Sequence, residues 1–85
     1  MKIQKLNFVL GMVGFNLSNN IIVGDSYRHV FFMNTNNTEA HALLVNERLV
    51  SLSLTNGDCH ISDSNLKDAD DVKHLIKKAG ELGIC

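Results

Sequence analysis

The chain has 85 residues, a formal net charge of −1, no proline, no tryptophan and two cysteines. This length allows one domain over residues 1–85, and a content of 45% hydrophobic and 20% charged residues excludes a disordered chain. The near-neutral charge excludes the basic surface of a general nucleic-acid binder, and two cysteines are too few for a secreted disulfide framework. We therefore expect reduced thiols and a cytoplasmic location.

The first fifteen residues contain two lysines and then an apolar run, which is the order found in signal peptides. Asn7 interrupts that run, so we interpret the segment as part of the fold. Its apolar residues fit both a helical period and strand alternation, and Gly11 and Gly14 weaken both fits. We predict a helix to about residue 14 followed by a strand, with a strand throughout as the alternative.

The densest polar cluster of the chain runs from Asp25 to His29 and precedes an apolar stretch. Gly-Asp-Ser is typical of a turn, and the sequence YRHVFFM predicts a strand because it is rich in aromatic and β-branched residues. Alternation places Tyr27 and His29 on one face and Arg28 on the other. Because both faces carry apolar groups, we predict a central strand that is buried on two sides.

Residues 39–62 predict a β-meander with strands over 39–45, 48–55 and 58–62. The turns are expected at Asn46-Glu47 and at Asn56-Gly57, where a type I′ turn would need positive φ at both central residues. The alternative is a helix over 38–49, capped by Thr38. The chain has ten asparagines, and most of them fall where the hydrophobic pattern breaks, so we interpret them as turn residues.

The C-terminal segment predicts an amphipathic helix that begins after Asp68 and stops at Gly83. Asp70 and Asp71 fall in its first turn, where the helix dipole favours negative charge. The predicted apolar stripe consists of Val72, Leu75, Ile76, Ala79 and Leu82.

Two groups of residues have the chemistry of reactive sites. Asp25, Ser26 and His29 are the residue types of a catalytic triad, but triads are assembled from distant segments, so we interpret these residues as a turn and a strand. The functional alternative is that His29 acts as a general acid or base with Arg28 or Tyr27.

Cysteine and histidine also raise the question of zinc. Cys59 and His60, with His29 or His41, are possible zinc ligands by type, but their spacing matches no zinc motif. Neighbouring residues of a strand also point to opposite faces. We predict no metal and no other cofactor.

The chain resembles the small RNA-cleaving toxins of the HicA type in three features. These are a helix ending in Gly14-Phe15, a set of strands, and a last helix containing HLIKKAG. The resemblance covers a minor part of the chain and implies an α-β-β-β-α fold like that of double-stranded-RNA-binding domains. In that family the catalytic histidine directly follows a Gly-Ser pair. Here Gly24-Asp25-Ser26 is followed by Tyr27, and the nearest histidine is His29, so the resemblance implies His29 at a shifted position.

These patterns together predict one α+β domain: a small antiparallel β-meander packed against a C-terminal α-helix, with an N-terminal helix or strand. We predict a small non-catalytic protein-binding module, an inhibitor or accessory factor of phage or mobile-element origin. It would occlude a partner's basic or nucleic-acid-binding surface. The predicted partner-binding residues are Asp63, Asp68, Asp70 and Asp71. We expect no direct nucleic-acid partner and no membrane, and an exposed apolar patch would favour a homodimer.

Overall fold

A computed structural model describes residues 1–84, and Cys85 lies outside the described residues. The described chain folds into two helices and five strands in the order α-β-β-β-β-β-α. The elements are α1 (Ile3–Met12), β1 (Asn16–Val23), β2 (Tyr27–Met33), β3 (Glu39–Val45), β4 (Arg48–Asn56), β5 (Cys59–Asp63) and α2 (Ala69–Glu81).

The five strands form one antiparallel sheet in which every strand is hydrogen-bonded to its neighbours in the chain. Strands β1 and β5 are therefore the two edges. Helix α1 contacts β1, helix α2 contacts β4 and β5, and the two helices contact each other, so both cover the same face. The predicted meander packed against a C-terminal helix is confirmed, and the N-terminal segment is a helix followed by a strand. The alternative helix over 38–49 is wrong, because this segment forms β3, the turn at Asn46-Glu47 and the first two residues of β4.

One hydrophobic core lies between the helices and the sheet. Side chains that alternate along β2, β3 and β4 point into it, and α1 and α2 each contribute one buried stripe. Its largest fully buried members are Phe32, Leu6, Leu10, Leu44, Leu52, Leu54, Val30 and Val72.

Both helices end in the same way, with a glycine at positive φ followed by a buried apolar residue. Gly14 (φ 91°) precedes Phe15, whose amide donates to the Leu10 carbonyl at 2.9 Å. Gly83 (φ 78°) precedes Ile84, whose amide donates to the Ala79 carbonyl at 2.9 Å. This is the bonding of a Schellman motif, in which the left-handed residue turns the chain back over the helix end.

The reversal at Gly83 explains why one residue of the predicted stripe is not in the core. Val72, Leu75 and Ala79 are buried and Ile76 packs against the core, as predicted, but Leu82 is 61% exposed. The helix stops at Glu81, and beyond the reversal Ile84 is buried in the core at 3% exposure.

The turns confirm part of the predicted chemistry. Asn46 (φ 53°) and Glu47 (φ 65°) form the predicted turn between β3 and β4, and both have positive φ, as in a type I′ turn. The sequence predicts that turn type at Asn56-Gly57. Asn56 instead closes β4, and only Gly57 has positive φ (61°), as at the first central position of a type II′ turn. Asparagines in β1 depart from the prediction, because residues 16–23 are one continuous strand and not a turn.

The prediction of two buried faces for the central strand is wrong. Strand β2 does lie inside the sheet, and Val30 and Phe32 are buried under the helices. The opposite face of the sheet, which we call the open face, has no helix over it within residues 1–84. His29, Phe31 and Met33 therefore remain half-buried on that face, although their neighbours in the strand are in the core.

Candidate functional site

The four predicted partner-binding acids fall at the end of the edge strand β5 and at the start of α2. Asp63 is the last residue of β5, and Asp68, Asp70 and Asp71 form the start of α2. We call these four residues the acidic segment. The connection from β5 to α2 is anchored in the core by Leu66, which is 5% exposed.

Three of these carboxylates also hold the backbone in place. Asp68 Oδ1 accepts from the amides of Asp70 (3.1 Å) and Asp71 (3.2 Å), and Asp71 Oδ2 accepts from the amides of Lys67 (2.8 Å) and Asp68 (3.3 Å). This reciprocal pair is a capping box. Asp63 Oδ1 accepts from the amide of Asn65 at 2.9 Å. The bonds fix these carboxylates in one geometry.

Each carboxylate keeps an oxygen that makes no hydrogen bond to the described residues. Asp63, Asp68 and Asp71 bond through one oxygen each, and the side chain of Asp70 bonds through neither. Among residues 1–84 the single ion pair joins Arg28 to Glu47, so no acid of the acidic segment forms an ion pair. The segment therefore presents negative charge without an ion-pair partner among the described residues, and three of its four carboxylates are fixed by backbone amides.

The open face brings together two histidines from neighbouring strands. His29 Nδ1 lies 2.8 Å from His41 Nε2, within hydrogen-bond distance, and their ring planes differ by 18°. His41 also stacks on Phe31, with ring centres 4.5 Å apart and planes 6° apart. The His29–His41 pair is thus held at one side by an aromatic ring, and when both rings are neutral one ring donates its N–H to the unprotonated nitrogen of the other.

The environment of His41 favours its neutral form. Desolvation by burial and then the charge of His29 lower the pKa of His41, while Glu39 on the same strand acts in the opposite direction. A neutral imidazole that accepts a hydrogen bond can also take up a proton, so the pair has the chemistry of an acid–base couple.

The residues proposed to act with His29 are separated from one another. Tyr27 lies on the open face with His29, as alternation predicted, because it pairs with Val45 and His29 pairs with Leu43. Arg28 lies on the helix face and forms a 3.1 Å ion pair with Glu47. The sheet therefore separates Arg28 from His29.

His41 is the residue of this pair that the sequence did not single out. The signal was present in principle: His29 and His41 have the same parity in adjacent strands, so any even register places them on one face. The register depends on the five-residue connection 34–38, in which Asn34 Oδ1 accepts from the amides of Asn36 (3.0 Å) and Thr38 (2.8 Å).

The other two residues that could bind zinc by type, His60 and Cys59, make no contact with the histidine pair. His60 Nδ1 is 2.9 Å from Thr55 Oγ1, and Cys59 is an exposed free thiol at the start of β5. No group of three or more histidine, cysteine or acidic side chains with the geometry of a metal site occurs in residues 1–84.

A shallow, open depression lies on the outer side of α2. It is formed by His74, Lys77, Lys78 and Glu81, which all belong to this helix. Because side chains three and four residues apart are neighbours on any helix surface, this depression is the solvated face of α2.

A second distinctive surface lies at the opposite edge of the sheet from the acidic segment. Ten large apolar side chains are exposed in residues 1–84, and eight of them fall on α1 or the residue that follows it, on β1 or at the start of β2. We call these eight the apolar edge: Phe8, Met12, Val13, Leu17, Ile21, Ile22, Val23 and Tyr27.

Comparisons with protein-family models, with curated proteins and with solved structures gave no match to this chain. Within the described residues, neither helix has the length and apolar character needed to cross a membrane.

Proposed function

We propose that this protein is a small non-catalytic protein-binding module whose acidic segment binds a basic surface of a protein partner. The observation that carries the proposal is the negative charge of Asp63, Asp68, Asp70 and Asp71, none of which forms an ion pair within residues 1–84. Backbone amides hold three of these carboxylates, so a basic partner meets negative charge in one preset arrangement. Charge complementarity of this kind raises the rate of association and selects against acidic partners.

Binding at this edge would act by occlusion. A partner surface rich in lysine and arginine, such as one that contacts nucleic acid, would be covered by a module of 9.4 kDa. The protein would then be an inhibitor or accessory factor. An asparagine-rich, proline-free composition is in keeping with an origin in a phage or another mobile element, where such inhibitors act against host defences.

The test needs a variant that changes charge without removing a cap. Reversal at Asp68 or Asp71 would also break the capping box, whereas the Asp70 side chain makes no hydrogen bond to the described residues. We therefore choose Asp70→Lys, with Glu81→Lys as a matched control at the other end of the same helix. The protein is immobilised, exposed to lysate of its native cell, and the captured proteins are identified by mass spectrometry.

We expect wild type and Glu81→Lys to capture the same basic protein, and Asp70→Lys to lose it. Capture should also weaken with added salt, because exposed charges are screened beyond about 10 Å at 0.1 M ionic strength. Equal capture by both variants, or a captured partner without a basic surface, would contradict the proposal.

A second candidate function is RNA cleavage, as in the HicA-type toxins, and the His29–His41 pair is the observation that favours it. One imidazole would take the proton of a ribose 2′-hydroxyl as its oxygen attacks phosphorus. The other would protonate the 5′-oxygen as its bond to phosphorus breaks. The two rings would have to separate to admit the phosphate, since they now bond directly to each other at 2.8 Å.

The two functions are separated by an assay on purified protein with single-stranded and double-stranded RNA. RNA cleavage that His29→Ala and His41→Phe both abolish, and that His74→Gln leaves intact, would establish the enzyme and overturn the binding module. His74 is the matched control because it is exposed on α2, away from the open face.

A further inference from the structure

We propose that the protein forms a two-fold symmetric homodimer in which β1 pairs antiparallel with β1 of a second copy, giving one continuous ten-stranded sheet. This proposal concerns the apolar edge. The acidic segment lies at the other edge of the sheet, so the proposal does not depend on the proposed function.

The first argument is that β1 is an unprotected edge strand. All eight of its residues are exposed, and its sequence NLSNNIIV contains neither a charge nor a proline. Exposed edge strands normally carry such residues, because the unpaired N–H and C=O groups would otherwise recruit another strand. Strand β5, the opposite edge, is protected in the usual way: it has five residues, ends in Asp63 and follows Asp58.

The second argument is the amount of apolar surface at this edge. Ile22 is 66% exposed and Val23 is 51% exposed, and the side chains of β1 are uncovered on both faces of the sheet. The apolar edge as a whole exposes on the order of several hundred Å², whereas a typical stable interface takes about 800 Å² from each partner. An apolar patch of this size on a protein surface is often a functional contact.

The third argument is that a second copy fits this edge by symmetry. A two-fold axis perpendicular to the sheet keeps the helices of both copies on one face and pairs residues that point to the same face. The irregularity between Leu17 and Asn19 leaves residues 19–23 as the regular part of the edge. Placing Ile22 opposite Ile22 of the second copy then sets Ile21 opposite Val23, so apolar residues meet on both faces.

Helix α1 adds to the same interface. It contacts β1, so the axis brings the α1 helices of the two copies beside each other. Phe8 is 68% exposed and Met12 is 60% exposed on this helix. These side chains supply apolar surface above the sheet, beyond what a single added strand would cover.

The paired strands themselves bring no charge to this interface. Residues 16–23 carry no charge, and the chain as a whole has a formal charge of −1. In a ten-stranded sheet with strands about 4.8 Å apart, the two β5 edges are roughly 40 Å from each other. The two acidic segments are then several screening lengths apart, and each faces outward at one end of the dimer.

The experiment is sedimentation equilibrium over a concentration series, with wild type, Ile22→Lys and the matched control Leu82→Lys. Both replaced side chains are apolar and similarly exposed, at 66% and 61%, but Leu82 follows α2 and does not belong to β1 or to the apolar edge. We expect wild type and Leu82→Lys to approach twice 9.4 kDa as concentration rises. Ile22→Lys should weaken the dimer by about a hundredfold or more, because it places two lysines against each other across the axis.

Amide hydrogen exchange of the wild type gives an independent result that needs no variant. Protection in residues 21–23 should increase with protein concentration, while protection in β5 should not. A wild type that stays at 9.4 kDa, an Ile22→Lys variant that still dimerises, or assemblies larger than a dimer would each overturn the proposal. Failure of the acidic segment to capture a partner would leave the dimer proposal unaffected.

Discussion

The hydroxyl of Thr38 donates a 2.6 Å hydrogen bond to the backbone carbonyl of Ile84, which joins the start of β3 to the chain end beyond α2. Thr38 is the one fully buried polar residue of the described chain. The Asn56 side-chain amide donates to the Thr38 hydroxyl at 3.0 Å and to the Ile84 carbonyl at 3.2 Å. These bonds hold the reversal after α2 against the ends of two strands.

Removing the Thr38 hydroxyl should therefore destabilise the fold. Thr38→Val keeps the shape of the side chain but leaves buried groups with fewer partners, which costs about 1–3 kcal/mol. The measurement is the free energy of unfolding from urea denaturation. Thr55→Val is the control, because Thr55 is on the open face and bonds only to the exposed His60, so its loss should cost about 0.5 kcal/mol or less. Equal losses in the two variants would contradict this role of Thr38.

Replacing either of two glycines in the C-terminal region with alanine should change the stability of the fold, but in opposite directions. Gly83 has a φ of 78°, so Gly83→Ala forces a left-handed alanine and should cost about 1–2 kcal/mol. Gly80 lies inside α2, and open space surrounds the position of an added methyl group. Gly80→Ala should therefore stabilise the protein by about 0.5–1 kcal/mol. Thermal unfolding of both variants measures the difference, and a stabilising Gly83→Ala would show that the Schellman geometry is not needed.

The capping box predicts unequal roles for two neighbouring acids. Asp68→Ala removes the acceptor for two backbone amides and should lower the free energy of unfolding by about 1 kcal/mol. Asp70→Ala removes only a charge near the helix dipole, worth a few tenths of a kcal/mol. Urea denaturation at neutral pH checks both. If Asp70→Ala proved the more damaging of the two, the capping role of Asp68 would be refuted.

The pKa of His41 predicts how stability changes with pH. Burial and the charge of His29 lower this pKa below its ordinary value of 6.5, so the unfolded chain binds a proton at a higher pH than the folded one. The contribution of His41 to stability is present above pH 6.5 and is lost as the pH falls toward its folded pKa. His41→Phe should keep the stacking on Phe31 and reduce the loss of stability on acidification. The free energy of unfolding is compared at neutral and mildly acidic pH, with His74→Gln as control. If His41→Phe lost as much stability on acidification as the wild type, the contribution assigned to His41 would be contradicted.

Local patterns in the sequence predicted most of the secondary structure. The alternation in YRHVFFM gave β2 with the observed bounds, and Asp68 with Gly83 marked the limits of α2 within one or two residues. Such signals act within one strand or one helical turn, so they do not require knowledge of the rest of the fold. The turn prediction failed at Asn56 because local signals do not include strand pairing. Asn56 pairs with Cys59, and this pairing, not the preference of asparagine for turns, decides where the hairpin bends.

The candidate site was only partly accessible to the same reasoning. The four acids of the acidic segment could be named because they are close in sequence, but their hydrogen bonds to backbone amides depend on the exact start of α2. The partnership of His29 with His41 was missed, because it depends on a register set across the 34–38 connection. The grouping of the apolar edge was likewise hidden, since it requires knowing that β1 ends the sheet.

The sequence by itself determined that this chain forms an antiparallel meander followed by a capped helix. The hydrophobic period, the turn residues and the helix caps are local properties. Only the tertiary structure decided which face the two helices share and which strand is left at an edge. Those outcomes depend on packing between distant segments, where burying Val30 and Phe32 under the helices leaves His29 and Phe31 on the open face. The same packing places the uncharged strand β1 at one edge of the sheet and the acidic segment at the other.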